Sequence, residues 1–248
     1  MNTPSNEKKV ILITGASRGI GAFTATLLAQ QGHQIVINYA RNDLEANQLV
    51  EQIKVAGGTA SAFKADISQS YQVEQLFEYV IQSYGRVDVL INNAGIMCLQ
   101  KIEALDDETI EKVLAINLKG SLYTMREAAK RLEQGGKIIN LSSSVIGMKL
   151  EGYGIYTASK AAIEALTAIL AKELRGKNIT VNAIAPGPTA TELFFEGKSE
   201  ALIAQLAKAA PLERLGTVED IAAVLDFAVS DASNWINAQV IRANGGII

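Results

Sequence analysis

The sequence predicts an α/β fold: one doubly wound, Rossmann-like domain whose seven-stranded parallel sheet is flanked by helices. Three observations carry that expectation. Short β-branched apolar runs alternate with amphipathic segments along all 248 residues. The first run, Val10-Ile11-Leu12-Ile13, is apolar at every position, as a strand covered on both faces requires. It is followed at once by a glycine-rich stretch, Thr14-Gly15-Ala16-Ser17-Arg18-Gly19-Ile20-Gly21.

The elements follow in order. A helix is expected from about Ile20 to Gln31, closed by Gly32. Ile35-Val36-Ile37 is the next strand, and Asn42-Asp43-Leu44-Glu45 has the character of a capping box. The helix it opens carries Leu49, Val50 and Ile53 on one face. Ala60 to Ala65 and Val87 to Ile91 read as strands around a helix bearing Val73, Leu76, Phe77 and Val80. A long helix is expected from about Asp107 to Glu133, then a strand from Lys137 to Leu141. A helix from about Ile155 to Leu174 leads to the strand Ile179 to Ala185. Thr217-Val218-Glu219-Asp220 is a second capping box, opening a helix to about Val229, and Gln239 to Ile241 is the last strand. No linker interrupts this alternation, so residues 1–248 are expected to form a single domain, with 1–8 a flexible tail. Pro186 to Pro211 is the one long irregular region. Stretches of that length are usually functional, and residues 188–212 are expected to be a mobile substrate lid carrying Leu193, Phe194 and Phe195. The competing expectation is that Ser199 to Ala209, rich in Ala and Leu, is a fixed surface helix.

Composition narrows the function. A net charge of −3 gives no reason to expect nucleic acid or an anionic membrane as partner. Met1 to Lys9 lacks the apolar core of a secretory signal, and no apolar stretch is long enough to cross a bilayer, so a cytoplasmic protein is expected. Cys98 and His33 each stand alone, which excludes an intrachain disulfide, a typical zinc site and a His-dependent triad. Cys98 reads as a packing residue. His33 sits where a cation at a helix end is mildly favoured, and Trp235 reads as a structural or subunit contact.

The glycine stretch permits a tight turn and a close approach of backbone N–H groups to a diphosphate at the helix N-terminus. Its spacing is G-x3-G-x-G, not the general dinucleotide fingerprint. About 20 residues further on such a site reads the adenosine ribose. That place, Asn38-Tyr39-Ala40-Arg41, has no carboxylate but has Arg41, while Arg18 lies in the turn. Two guanidinium groups suit a 2′-phosphate, which favours NADP(H) over NAD; solvated surface arginines are the plainer alternative. Tyr156 and Lys160 are four residues apart on an expected helix and so share a face. A neighbouring ammonium is expected to favour the phenolate and lower the tyrosine pKa, making it an acid/base. Ser142, Ser143 and Ser144 follow the fifth strand, at the sheet edge where ligands bind. Asn117 falls inside a helical stretch that it suits poorly.

Taken together, Thr14 to Gly21, Asn92-Asn93-Ala94-Gly95, Asn117, Ser143, Tyr156-Thr157-Ala158-Ser159-Lys160, Pro186-Gly187 and Asn244-Gly245-Gly246 resemble the short-chain dehydrogenase/reductase family over nearly the whole chain. The pattern is similar to its 3-oxoacyl-carrier-protein reductase-like members and to sugar or polyol dehydrogenases. The resemblance implies hydride transfer between NADP(H) and a carbonyl or secondary alcohol. It selects Ser143 to hold the substrate oxygen, Tyr156 to move the proton, Lys160 to hold the ribose and tune the tyrosine, and Asn117 to bind a water linking the lysine to solvent. It implies a cofactor site made of Gly15, Ser17, Arg18, Gly19, Ile20, Gly21, Tyr39, Arg41, Asp66, Ile67, Asn93, Ala94, Gly95, Tyr156, Lys160, Pro186, Gly187, Thr189 and Thr191. Within it Asp66 would meet the adenine, Asn93-Ala94-Gly95 would pass the adenosine ribose, and Thr189 and Thr191 would hold the nicotinamide carboxamide. A small-molecule carbonyl or alcohol substrate and a homo-oligomer, tetramer or dimer, are also implied. The main alternative is a non-catalytic NADP-binding sensor or scaffold. Three departures from the family pattern stand out: a glycine-rich, polar Gly147 to Gly154, Val218 in place of proline, and Ala238 where glycine is frequent.

Overall fold

The computed structural model describes residues 8–248, so the tail expected over residues 1–8 lies, except for Lys8, outside the described residues. The apolar runs become seven strands: Val10–Ile13 (β1), Gln34–Tyr39 (β2), Thr59–Lys64 (β3), Val89–Asn92 (β4), Lys137–Leu141 (β5), Thr180–Pro186 (β6) and Val240–Ala243 (β7). They pair in parallel, in the order β3-β2-β1-β4-β5-β6-β7. The helices between them are Gly19–Gln30 (α1), Asp43–Val55 (α2), Ser70–Tyr84 (α3), Asp107–Val113 (α4), Ser121–Arg131 (α5), Val145–Met148 (α6), Gly154–Glu173 (α7), Glu192–Phe195 (α8), Glu200–Ala209 (α9) and Val218–Val229 (α10).

Alternate residues of one strand enter opposite sides of the sheet, which is why β1 must be apolar throughout. Ile11 and Ile13 join Leu28 of α1, Leu49 and Ile53 of α2 and Leu225 of α10 in one core. Val10 and Leu12 join Leu76 and Phe77 of α3, Met125 of α5 and Ile163 of α7 in the other. The chain winds outward from β1 to β3, then returns to β4 and winds outward the other way. That reversal opens a crevice at the carboxyl ends of β1 and β4.

Four local expectations change. The long helix from Asp107 to Glu133 is interrupted by a π-helical turn, Leu114–Gly120, between α4 and α5. Gly120 of that turn lies against Ile67, where an added Cβ would sit 2.8 Å from side-chain carbons. Pro186 to Pro211 is largely helical, because Thr191 and Ser199 cap α8 and α9 through their hydroxyls. Asn42 forms no cap; its amide donates to the Glu45 carboxylate instead, whereas the box at Thr217 and Asp220 does form. His33 is not a helix-end cation: its Nδ1 accepts from the Lys9 N–H, and burial, reinforced by the Lys9 charge, lowers its pKa below the ordinary 6.5.

Ala238 holds φ at 59°, in the left-handed region, and its N–H donates to the Val181 carbonyl beside β6. That conformation costs an L-residue roughly 1–2 kcal/mol, of which a glycine would recover part after its larger unfolded-state entropy. Ala238→Gly should therefore raise the unfolding free energy by roughly 0.5–1 kcal/mol in urea titrations. A loss of stability would show that the alanine methyl contributes packing that outweighs the strain.

Candidate active site

A cleft of about 820 Å³ runs along the carboxyl edge of the sheet, and every catalytic or cofactor-binding residue the sequence nominates lines it except Gly21 and Asn117. At its deep end the turn after β1 presses on the turn after β4. Gly15 has φ +60°, and a Cβ there would lie 2.7 Å from the Ala94 Cα. The Asn93 amide donates to the carbonyls of Thr14 and Gly15, both at 2.9 Å, while the Thr14 hydroxyl accepts from the N–H groups of Asn93 and Ala94. Gly21 sits behind this brace, where a Cβ would stand 2.6 Å from the Asn93 amide nitrogen.

Above the brace, α1 begins with no side-chain cap and no acidic residue in its first turn. Ser17, Arg18, Gly19 and Ile20 line the cleft at this end. An uncapped helix N-terminus next to a backbone that only glycine allows so close fits a diphosphate. Tyr39, Arg41, Asp66 and Ile67 line the cleft beyond β2 and β3. The nearby Asp43 carboxylate is occupied by the Tyr39 hydroxyl at 2.9 Å and the Lys64 ammonium at 2.8 Å. Asp66 accepts from the Ser68 N–H and shapes the turn before α3. Arg41 makes no ion pair among the described residues, whereas Arg18 reaches across the cleft to Glu192 of α8.

The three serines after β5 are sorted by their bonds. Ser142 donates its hydroxyl to Glu164 at 2.7 Å, and Ser144 donates its own to the Ala185 carbonyl at 3.0 Å. Ser143, between them, accepts a long bond from the Val145 N–H and turns its hydroxyl to Tyr156. Tyr156 and Lys160 lie one turn apart on α7. The Lys160 ammonium is buried, donates to the Leu141 carbonyl at 2.7 Å and lies 5.9 Å from the Tyr156 ring centroid. Burial lowers the Lys160 pKa to about 8. It pushes Tyr156 up to about 12, opposed by the Ser143 hydrogen bond and augmented by Tyr153.

The expected lowering of the tyrosine pKa by lysine is thus reversed here. Desolvation of the phenolate dominates, and the ammonium is directed at a strand carbonyl. At neutral pH the phenol carries its proton and can serve as an acid.

Asn117 is fully buried at the centre of the π-helical turn. Its side chain accepts from the Ile96 N–H and donates to the Ile96 carbonyl, both at 2.9 Å, and also donates to the Ser159 hydroxyl. It holds the strand end that carries Gly95 beside Lys160: a Cβ on Gly95 would lie 3.4 Å from Asn117 Oδ1 and 3.5 Å from Lys160 Nζ. Beyond β6, Gly187 donates to the Ala243 carbonyl and Pro186 accepts from the Ser144 N–H. The Thr189 hydroxyl is spent on the Gly187 carbonyl and that of Thr191 on capping α8.

Several lining residues had no part in the sequence-based site. Tyr153, one turn before Tyr156, could have been found by that spacing; Met148 and Leu150 carry no such signal. They make the wall of Gly147 to Gly154 apolar, correcting the polar reading, and Gly147 accommodates the C-terminal Ile248. Phe194 lines the cleft. Phe195 does not; it is exposed and packs edge-on against Phe194.

A family model described as "Enoyl-(Acyl carrier protein) reductase" matches residues 15–248. A short-chain type dehydrogenase/reductase of Picea abies is 44% identical, covering 96% of this chain and 92% of that relative. The chain belongs to the short-chain dehydrogenase/reductase family. NADPH-dependent aldehyde reductase 2, chloroplastic, of Arabidopsis thaliana is 40% identical and covers 97% of this chain and 94% of its own. Among solved structures, a short-chain dehydrogenase from Burkholderia cenocepacia in complex with NADP superposes with a TM-score of 0.91 at 31% identity, covering 96% of this chain and 97% of that one. In this short-chain dehydrogenase/reductase, then, the π-helical turn at Asn117 joins the β4 end to α7.

Replacing Asn117 by alanine removes the partner of the half-buried Ile96 N–H and carbonyl and of the Ser159 hydroxyl, which costs roughly 1–3 kcal/mol. Asn117→Ala should lower the unfolding free energy by about that amount. An unchanged denaturation midpoint would contradict the bracing role.

Proposed function

We propose that this protein is an NADP(H)-dependent oxidoreductase that exchanges a hydride between nicotinamide and a carbonyl or secondary-alcohol carbon, with Tyr156 as the acid/base. The observation that carries this reading is a phenol kept protonated by burial and facing Ser143, the one serine of the β5 edge turned towards it. Relatives described as NADPH-dependent and a similar structure solved with NADP support the choice of cofactor.

In this reading Gly15, Ser17, Gly19, Ile20 and Gly21 hold the diphosphate against the open end of α1. Arg41 and Arg18 take the 2′-phosphate, Asp66 and Ile67 flank the adenine, and Asn93, Ala94 and Gly95 pass the adenosine ribose. Pro186, Gly187, Thr189 and Thr191 border the carboxamide, and Lys160 with Tyr156 the nicotinamide ribose. The bound cofactor supplies the hydride. Ser143 donates a hydrogen bond to the substrate oxygen, polarising the carbonyl. Tyr156 delivers its proton to that oxygen as charge develops, and Asn117 fixes the scaffold around Lys160. Residues 188–212 act as the substrate lid, with α8 and α9 as its rigid parts. No helix among the described residues is long and apolar enough to cross a membrane. Exposed Leu122 and Ile169 on one side, with Phe227 and Val240 on another, supply apolar faces for a homo-oligomer, tetramer or dimer.

Tyr156→Phe should cut turnover by at least about 10²-fold while NADPH binding, measured by fluorescence, persists; turnover within a few-fold of the parent would refute the acid/base role. The sign of the pH dependence follows from a raised tyrosine pKa. Reduction needs the proton on, so reductive kcat/KM should be flat through neutrality and fall only on the alkaline side, where Lys160 loses its charge near pH 8 and Tyr156 titrates later. Alcohol oxidation needs the proton off and should rise over the same range. Arg41→Ala should weaken NADPH far more than NADH. Glu192→Gln releases Arg18 from a surface ion pair and should tighten NADPH by at most a few-fold, leaving NADH unchanged. Equal effects on both cofactors would remove these side chains from the phosphate site.

A further inference from the structure

The substrate end of the cleft has two walls. One is the segment before α7, which contributes Met148, Leu150 and Tyr153; the other is the lid, which contributes Phe194 of α8 and Leu206 of α9. All five present apolar surface, and methionine in such a wall adapts to varied apolar shapes. The charged residues that the lid adds to the cleft are Glu192 and Glu196, and neither wall contributes a lysine or arginine to the lining.

The lid does hold a cation close by, but it is otherwise engaged. Lys198 does not line the cleft. Its ammonium donates to the Phe194 carbonyl at 2.6 Å and lies 4.8 Å over the Phe194 ring and 5.9 Å over the Tyr153 ring. It therefore clamps the two walls together through both aromatic rings. Glu192 pairs with Arg18, whereas Glu196 makes no ion pair within 4.0 Å among the described residues and feels only the nearby charge of Lys198.

We propose that this cleft selects neutral, largely apolar aldehydes and ketones over anionic ones, and that Glu196 is the residue that sets the charge preference. The inference rests on the reductase reading above. An apolar carbonyl compound gains from every side chain of both walls. A carboxylated, phosphorylated or coenzyme-A-linked carbonyl meets Glu196 at the rim, while the lid's nearby cation, Lys198, is engaged by the Phe194 carbonyl, both aromatic rings and the field of Glu196 itself, so the anion gains no free counter-charge there. Glu196 is exposed and outside the reacting group, so its replacement leaves the fold and the chemistry in place.

The test compares a matched pair at low ionic strength with NADPH: methyl 4-formylbenzoate, which is neutral, and 4-formylbenzoate, which carries one negative charge on the same skeleton. The neutral ester should have the higher kcat/KM by about 10-fold or more, and added salt should narrow the gap. Glu196→Gln should raise kcat/KM for the anion by about 3-fold and Glu196→Lys by about 10-fold, with the ester unchanged within about 2-fold. Equal parent rates on both aldehydes, or Glu196 variants that shift both alike, would overturn the charge selection while leaving the reductase reading intact. Absence of turnover on every carbonyl compound, with NADPH still bound, would overturn both.

Discussion

Parallel strands deliver the residue that follows each of them to the same edge of the sheet, and the chemistry of this molecule hangs on that edge. Because β1 and β4 are neighbours whose connections leave in opposite directions, the turns after them meet, and the Asn93 side chain locks them together. That contact fixes the floor of the cleft. It sets the open end of α1 on one side of the floor and Gly95, with Lys160 behind it, on the other. A sheet that admitted an antiparallel strand here would send one of these turns to the far edge.

Burial then does the electrical work. Lys160 is removed from water and anchored to the last carbonyl of β5, so its charge is expensive and its pKa falls. The same burial raises the pKa of Tyr156, so the resting site stores a proton on the phenol and holds the ammonium one helical turn away. That is the protonation state the proposed reduction requires. Ser143 is the serine that meets Tyr156, since Ser142 and Ser144 are consumed by Glu164 and by the β6 edge.

Much of this was legible in the residues themselves. Continuous apolar strands, helical stripes such as Val73, Leu76, Phe77 and Val80, and the glycine turn each depend on local chemistry that a sequence displays. The π-helical turn at Asn117 was not legible, because an ordinary helix satisfies the same periodicity; the contact of Gly120 with Ile67, distant in the chain, accompanies the wider turn. Residues 188–212 looked irregular because the helices there are short and capped by single hydroxyls. The pairing of Arg18 with Glu192, 174 residues away, and the sign of the Tyr156 shift depend on tertiary burial, which spacing along a helix does not encode.

The central claim is that Tyr156 is a proton-bearing acid in the free protein and not a standing phenolate. It is tested most directly by nuclear magnetic resonance on protein labelled with ¹³C at tyrosine Cζ, titrated between neutral and strongly alkaline pH, with the Tyr156 signal assigned through Tyr156→Phe. A signal that stays in the phenol position beyond pH 10 and moves only towards about 12 is the expected result. A signal already shifted to the phenolate position near neutral pH would contradict the account.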